Sequence, residues 1–255
     1  MFALGQGVPR LEVHGTGNHG SACPERLKLV YWDEEAATGR IESLDDAGRV
    51  VNAMDMSLVT SSVPCFTPTA AIATKTGPRQ IVDLKAGDDV ITRDHGSCEI
   101  AWVGQKTLGW RELGMNPLLR PICIRAGAFG EGVPERDLIV SPNHHMLVTG
   151  RSESSGGNVE ALVAARDLIG RPGIDVLRCQ SVTYIQLLFA RHEVLMADGC
   201  WSESFLPEKA ALSAMSADEL ALIGEIHPEV LEGGLPTISA ARDFIKKDDI
   251  AALNC

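Results

Sequence analysis

Cys65 opens the run Cys65-Phe66-Thr67-Pro68, and 76 residues further on Ser141-Pro142-Asn143-His144 sets a hydroxyl and an imidazole on a second turn signal. A thiol one carbon from its own α-nitrogen reaches the preceding carbonyl through a five-membered ring. The bond such a set could rearrange is therefore the chain's own, Pro64–Cys65, and no separate substrate pocket is required. Three things are needed. The thiol must become a thiolate, an imidazole near its own pKa must protonate the departing amine, and water or another nucleophile must resolve the resulting thioester. Hydrolysis would release residues 1–64, so the partner of the reaction is the chain's own N-terminal segment. Each residue also has an ordinary reading: Cys65 as a core thiol, Ser141 as a turn former before Pro142, His144 beside His145 as a hydrogen-bonded turn histidine.

The elements that must position these groups read as β-structure. Short β-branched runs separated by turn residues begin at Cys65: Gln80 to Leu84, Asp89 to Thr92, Glu99 to Val103, Pro121 to Arg125, Leu138 to Val140, Met146 to Thr149, Val182 to Phe189 and Glu193 to Met196. Regular short strands of this kind argue an all-β fold, and the helical crossovers of a parallel α/β sheet are missing. Ile81 to Asp88 and Leu162 to Leu168 weakly echo one another at a spacing of about 80 residues, which would fit a duplicated β unit. Before Cys65, residues 1–26 are Gly-rich and read as a leader, and Leu27–Trp32 reads as a strand. After Pro207, Ser216-Ala217-Asp218-Glu219 is a capping box opening a helix that Pro228 stops, and a second helix is expected from Ser239 through Ile245.

Composition narrows the function classes. The net charge is −11 in 255 residues. Residues 1–64 carry 5 basic and 9 acidic residues, residues 65–207 carry 14 and 16, and residues 208–255 carry 4 and 9. With no basic stripe to displace phosphate counterions, nucleic acid is excluded as the partner. No apolar run is long enough to span a membrane, and the N-terminus lacks the pattern of a cleavable signal peptide. The expected location is cytoplasmic, with export by a route lacking such a signal left open. Seven cysteines, Cys23, Cys65, Cys98, Cys123, Cys179, Cys200 and Cys255, contain no Cys-x-x-Cys pair, a poor framework for disulfides or zinc. The histidines show no ligand spacing and no phosphate loop is present, so no cofactor and no metal are expected.

Residues 65–207 resemble a Hint (Hedgehog/intein) domain of the bacterial stand-alone type. The resemblance is carried by Cys65-Phe66-Thr67-Pro68, by Ile81 to Thr92 with its Leu-Lys-Ala-Gly-Asp turn, by Ile124 through His144, and by Leu187 through Phe205 with Trp201-Ser202-Glu203-Ser204-Phe205. It implies an all-β horseshoe of short strands with pseudo-twofold subdomains, here with a small C-terminal helical appendage and a Gly-rich N-terminal leader. The domains would be 1–64, a leader or small β unit, 65–207, the Hint domain, and 208–255, a helical segment. It also implies that Cys65 is the nucleophile, that Ser141 and His144 hold and protonate the scissile amide, and that His192 stands where inteins keep a second histidine.

Several positions depart from the family pattern. Thr69-Ala70 replaces Gly-Thr, Ile185 stands at the intein aspartate, and the terminal His-Asn pair is absent, which excludes full splicing. Pro64 restricts Val63 and permits a cis Val63–Pro64 bond. An n→π* contact of about 0.3–0.7 kcal/mol would also lower the electrophilicity of its carbonyl. Two functions follow: single-turnover self-cleavage at Pro64–Cys65 through an N–S acyl shift, or a catalytically quiet Hint-fold scaffold that binds a partner.

Overall fold

The computed structural model describes residues 14–17, 25–31, 38–57, 63–115, 117–151, 157–212, 215–234 and 237–246. The chain divides into two compact units, Met1–Ser62 and Val63–Cys255. In the first, β1 (His14–Gly17), β2 (Glu25–Tyr31), β3 (Thr38–Leu44) and β4 (Val50–Ser57) form one antiparallel sheet in sequence order. Part of the Gly-rich leader is thus a strand, His14 to Gly17 pairing with Lys28 to Glu25, while most of that leader lies outside the described residues.

The second unit begins with a hairpin of β5 (Ala71–Thr74) and β6 (Gly77–Gln80), then β7 (Asp89–Thr92), β8 (Gly96–Glu99) and β9 (Trp102–Leu108). A short helix α1 (Trp110–Met115) leads to β10 (Ile122–Ile124) and β11 (Leu138–Val140). Next come β12 (His145–Arg151), β13 (Asn158–Ala164), β14 (Ile174–Val176), β15 (Val182–Leu188), β16 (Val194–Ala197) and β17 (Cys200–Glu203). Helices α2 (Lys209–Leu212) and α3 (Ala217–Ile226) and a last strand β18 (Phe244–Ile245) complete it. Strand β9 pairs with β15 along its whole length, and β10 is central between β11 and β14.

Ile81-Val82 and Leu162-Val163, aligned in the sequence echo, lie in different elements, and the matching turns are three residues out of that alignment. After β6, Ile81–Asp83 form a 3-10 turn, and after β13 so do Ala165–Leu168, each entered through nearly identical extended backbone at Gln80 (φ −60°, ψ 135°) and Ala164 (φ −61°, ψ 137°). Ile81 N–H donates to Ala70 and Ala165 N–H to His144, both at 2.9 Å. The run Gln80 to Leu84 is therefore not a strand. Ile81 and Leu84 are buried while Val82 is 54% exposed, an i, i+3 pattern that a 3-10 turn satisfies and a strand does not.

Near the end of the chain α3 opens with the expected capping box between Ser216 and Glu219 and ends before Pro228. The helix expected from Ser239 does not form. Phe244 and Ile245 add instead as a parallel strand beside Leu162 and Val163, because the outer edge of β13 leaves backbone groups that a strand can pair.

Two apolar clusters lie on opposite sides of the β9–β15 pair. One contains Phe66, Ile72, Ile100, Ile124, Leu138, Ile185 and Leu187. The other contains Val63, Cys65, Trp102, Tyr184, Leu188 and Phe205, joined by Leu113, Leu119, Ala211, Leu212, Ile223 and Val230. Strand alternation explains the division: Ile185 and Leu187 point one way, Tyr184 and Leu188 the other. Gly104 makes the second cluster possible, since a Cβ there would lie 2.0 Å from the Trp102 ring and 2.7 Å from Gln186 Oε1. Gly104→Ala is expected to destabilise the protein by about 1–3 kcal/mol through overpacking. Urea unfolding checks this, and an unchanged midpoint would mean that Trp102 can swing aside at no cost.

Candidate active site

Residues 65–67 are held on both edges. Phe66 N–H donates to the Ile185 carbonyl and its own carbonyl accepts from Ile185 N–H, both at 2.9 Å. On the other side Ser141 N–H donates to the Cys65 carbonyl at 2.9 Å and Thr67 N–H to the Ile139 carbonyl at 3.2 Å, a reciprocal pair centred on the Phe66–Val140 bridge. Ser141, directly after β11, thereby arrives beside the Pro64–Cys65 bond.

The Ser141 hydroxyl spans Pro64. Its oxygen accepts from Cys65 N–H at 3.0 Å, and its own proton goes to the Val63 carbonyl at 2.9 Å. One serine thus holds the amide on each side of the proline, and with its backbone N–H it holds three polar groups around the junction: the Val63 carbonyl, the Cys65 N–H and the Cys65 carbonyl. The Val63–Pro64 peptide is trans, the cis bond of the described residues being Val133–Pro134.

The Cys65 side chain is sealed, 2% exposed, and burial pushes its thiol up to about 12. The hydrogen bond from Gln186, the nearby Ser141 hydroxyl and the charge of Lys106 oppose that shift, and the charge of Glu203 adds to it. The Gln186 carboxamide donates through Nε2 to Cys65 Sγ at 3.5 Å. At neutral pH the resting sulfur is a thiol.

His144 is 1% exposed, and neither ring nitrogen has a hydrogen-bond partner. Its ring meets Phe66 edge-on at 4.3 Å between centroids. Burial lowers its pKa to about 4, against the opposing pull of the Glu203 charge, so the imidazole is neutral at pH 7. Polar groups buried without partners are rare in native proteins, and an imidazole of this kind retains an unused donor and an unused acceptor.

His192 is buried elsewhere. Its Nδ1 accepts from Ala241 N–H at 3.0 Å, which places the ring proton on Nε2, facing the Ser204 carbonyl at 3.2 Å and Glu203 Oε2 at 3.4 Å. Cys65 and Ser141 are thus brought together by direct hydrogen bonds, His144 packs on the residue next to Cys65, and His192 is committed to other partners. A cavity of about 490 Å³ is lined by His95, Arg191, His192, Ser239 and Arg242, and by none of Cys65, Ser141 or His144.

Sequence reasoning missed Gln186 and gave Glu203 no task at the junction. Glu203 is 1% exposed and accepts from the His145 backbone N–H at 2.8 Å and from His145 Nδ1. Burial works to raise its carboxyl, but the charge and hydrogen bond of His145, with His192 and His144, outweigh it and hold the carboxyl at about 2. Gln186 could have been noticed as the only amide on the Tyr184–Leu188 face of an apolar strand. Glu203 could have been noticed as a carboxylate ending a strand that is otherwise buried.

A family model for the Hint domain matches residues 64–209. The chain belongs to the Hint-domain family. Its all-β architecture is that of the family. Among solved structures, the gp41-1 intein aligns at 13% identity over 55% of this chain and 97% of that one, with a TM-score of 0.32. A substituted form of the same intein aligns over 55% and 98%, at 13% identity and a TM-score of 0.31. Among curated proteins, none matches the chain. In this Hint domain the five described cysteines are unpaired, and no helix of the described residues is long and apolar enough to cross a membrane.

The buried imidazole gives stability a definite pH dependence. The pKa of His144 falls from 6.5 to about 4 on folding, so the neutral form is favoured in the native state. Its contribution is complete above pH 6.5 and is lost as pH falls from 6.5 towards 4, because the unfolded chain takes up the proton first. Urea unfolding at pH 7 and pH 4 should differ by roughly 3 kcal/mol from His144 alone, with the buried Glu203 carboxylate adding to the loss as pH falls below 4.5. His144→Gln should flatten that part of the curve, and an equally steep curve in the variant would assign the effect to another group.

Proposed function

We propose that this Hint domain is an autoprocessing unit that cleaves the Pro64–Cys65 bond by an N–S acyl shift. The observation that carries the reading is the Ser141 hydroxyl bridging Cys65 N–H and the Val63 carbonyl, directly at the junction that a thiol on Cys65 would attack. The sulfur forms a bond to the Pro64 carbonyl carbon, the carbon–nitrogen bond breaks, the thiol proton is lost and the Cys65 nitrogen gains one. The step is an isomerisation and needs no co-reactant. Water then resolves the thioester and frees residues 1–64.

Each group has a task in that sequence. Ser141 Oγ accepts from the scissile N–H, which keeps the nitrogen oriented while it becomes an amine. Its hydrogen bond to the Val63 oxygen engages the lone pair that would otherwise lean on the Pro64 carbonyl, and so restores electrophilicity that proline withholds. His144, neutral, with both ring nitrogens unused and its ring packed on Phe66, is the group to which this reading gives protonation of the departing Cys65 nitrogen. His192, hydrogen-bonded on both nitrogens, is a structural partner of Glu203 in this reading.

A quiet binding scaffold is the second reading, favoured by the sealed thiol whose pKa is pushed up to about 12. Intact-mass measurement with and without a small thiol separates the two. Self-cleavage predicts a fragment of about 7 kDa, 64 of 255 residues of a 27.3 kDa chain, in the wild type and none in Cys65→Ala. Ser141→Ala should cleave about tenfold more slowly, the loss of one or two buried hydrogen bonds, while Ser141→Thr should retain most of the rate. A wild type that stays intact under strong thiol would leave the scaffold reading.

A further inference from the structure

We propose that Gln186 is a catalytic residue of this site, its carboxamide Nε2–H donating to the Cys65 sulfur and stabilising it as negative charge develops there. The assignment rests on the reading of the junction as a self-cleaving site. Gln186 lies on β15 between Tyr184 and Leu188, which with Val182 are the residues of that strand in the cluster containing Cys65. Strand alternation directs its side chain to the same face, and Nε2 stands 3.5 Å from Sγ, within the range of a hydrogen bond to sulfur.

The neighbours of Gln186 are arranged to leave that contact undisturbed. Directly across the ladder is Gly104, whose missing side chain leaves room for the carboxamide oxygen, and the adjacent cross-strand pair is Tyr184–Lys106. Tyr184 spends its hydroxyl proton on the Leu119 carbonyl at 2.7 Å, so it does not compete for the sulfur. Lys106 adds a positive charge whose field favours the thiolate.

The residue type suits the problem. The sulfur is buried and must carry charge before it attacks, which an apolar site opposes. A carboxamide supplies a fixed N–H donor at every pH without bringing a charge of its own, whereas a carboxylate at this position would repel the thiolate. In the acyl shift, the sulfur loses its proton, forms its bond to the Pro64 carbon and becomes a neutral thioester. The Gln186 donor is therefore strongest at the stage where the charge resides on sulfur, which is the condition for raising the rate rather than merely stabilising the ground state.

The test follows fragment release in the full chain for wild type, Gln186→Met and Gln186→Asn over a pH series, with near-ultraviolet circular dichroism confirming that each is folded. The Gln186 side-chain amide resonances are compared between wild type and Cys65→Ala by NMR. Gln186→Met keeps the length and removes the donor. It should cleave about tenfold more slowly at each pH, so that its rate profile is displaced by about one pH unit towards alkali. Gln186→Asn keeps the amide one methylene short of the sulfur and should lose rate similarly. A purely structural role would lower stability without displacing the profile in this way. Wild-type rates in folded Gln186→Met would overturn the assignment. If the wild type never cleaves, it is the reading of the junction that fails. The NMR comparison then decides the contact: amide protons that move when the sulfur is removed support it, and protons indifferent to Cys65→Ala overturn it.

Discussion

Phe66 exchanges two hydrogen bonds with Ile185 on one side, while Cys65 and Thr67 are held by Ser141 and Ile139 on the other. A backbone segment gripped on both edges has no freedom to slide, and a slip by one residue would exchange the two faces of the strand. The grip therefore decides that Phe66 enters one core and Cys65 the other. It also brings Ser141 to the Pro64–Cys65 bond and sets β15, with Gln186, beside the sulfur. Because the pairing is reciprocal about Phe66 and Val140, the site is built at the line where the two segments meet. Thr67 and Ser141 hold equivalent places in that pairing, and only one of them faces a cysteine junction.

The same packing that fixes the geometry makes the chemistry hard. A thiol, an imidazole and a carboxylate are all removed from water, and each responds in its own direction. The thiol is pushed up and the imidazole down, both by burial, while the carboxylate stays ionised because histidines surround it. The result is a resting state of neutral thiol and neutral imidazole beside one buried negative charge. The Pro64–Cys65 junction is itself buried in that state. The proposed acyl shift would take a proton from sulfur in a place that disfavours charge, where Gln186 is a hydrogen-bond donor to the sulfur and Ser141 accepts from the Cys65 nitrogen.

How much of this could be read from the chain depended on whether the signal was local. The runs Asp89 to Thr92, Leu138 to Val140, Val182 to Phe189 and Glu193 to Met196 were legible as the strands β7, β11, β15 and β16, whereas the run Glu99 to Val103 breaks between β8 and β9 and the strand β17 was not expected. The capping box at Ser216 was equally legible, since its partners are three residues apart. The run Ile81 to Leu84 misled because a buried residue every third position and a β-branched composition point to different elements. Phe244 and Ile245 misled because their partner, the free edge of β13, is about 80 residues distant. At the site, Cys65, Ser141 and His144 were found by type and spacing. Gln186 and the cluster of Glu203 with its histidines were not, because their roles come from tertiary neighbours that no local pattern encodes. His192 was placed by resemblance, and the structure gives it partners other than the thiol.

The central claim is that the Pro64 acyl group passes through the Cys65 sulfur. The most direct measurement is mass spectrometry of the released N-terminal fragment after incubation with hydroxylamine, which intercepts a thioester but leaves an ordinary peptide bond intact. The account predicts a fragment ending in a Pro64 hydroxamate, formed by the wild type and not by Cys65→Ala. A fragment ending at any other residue, or one carrying a free carboxylate whether or not hydroxylamine is present, would contradict it.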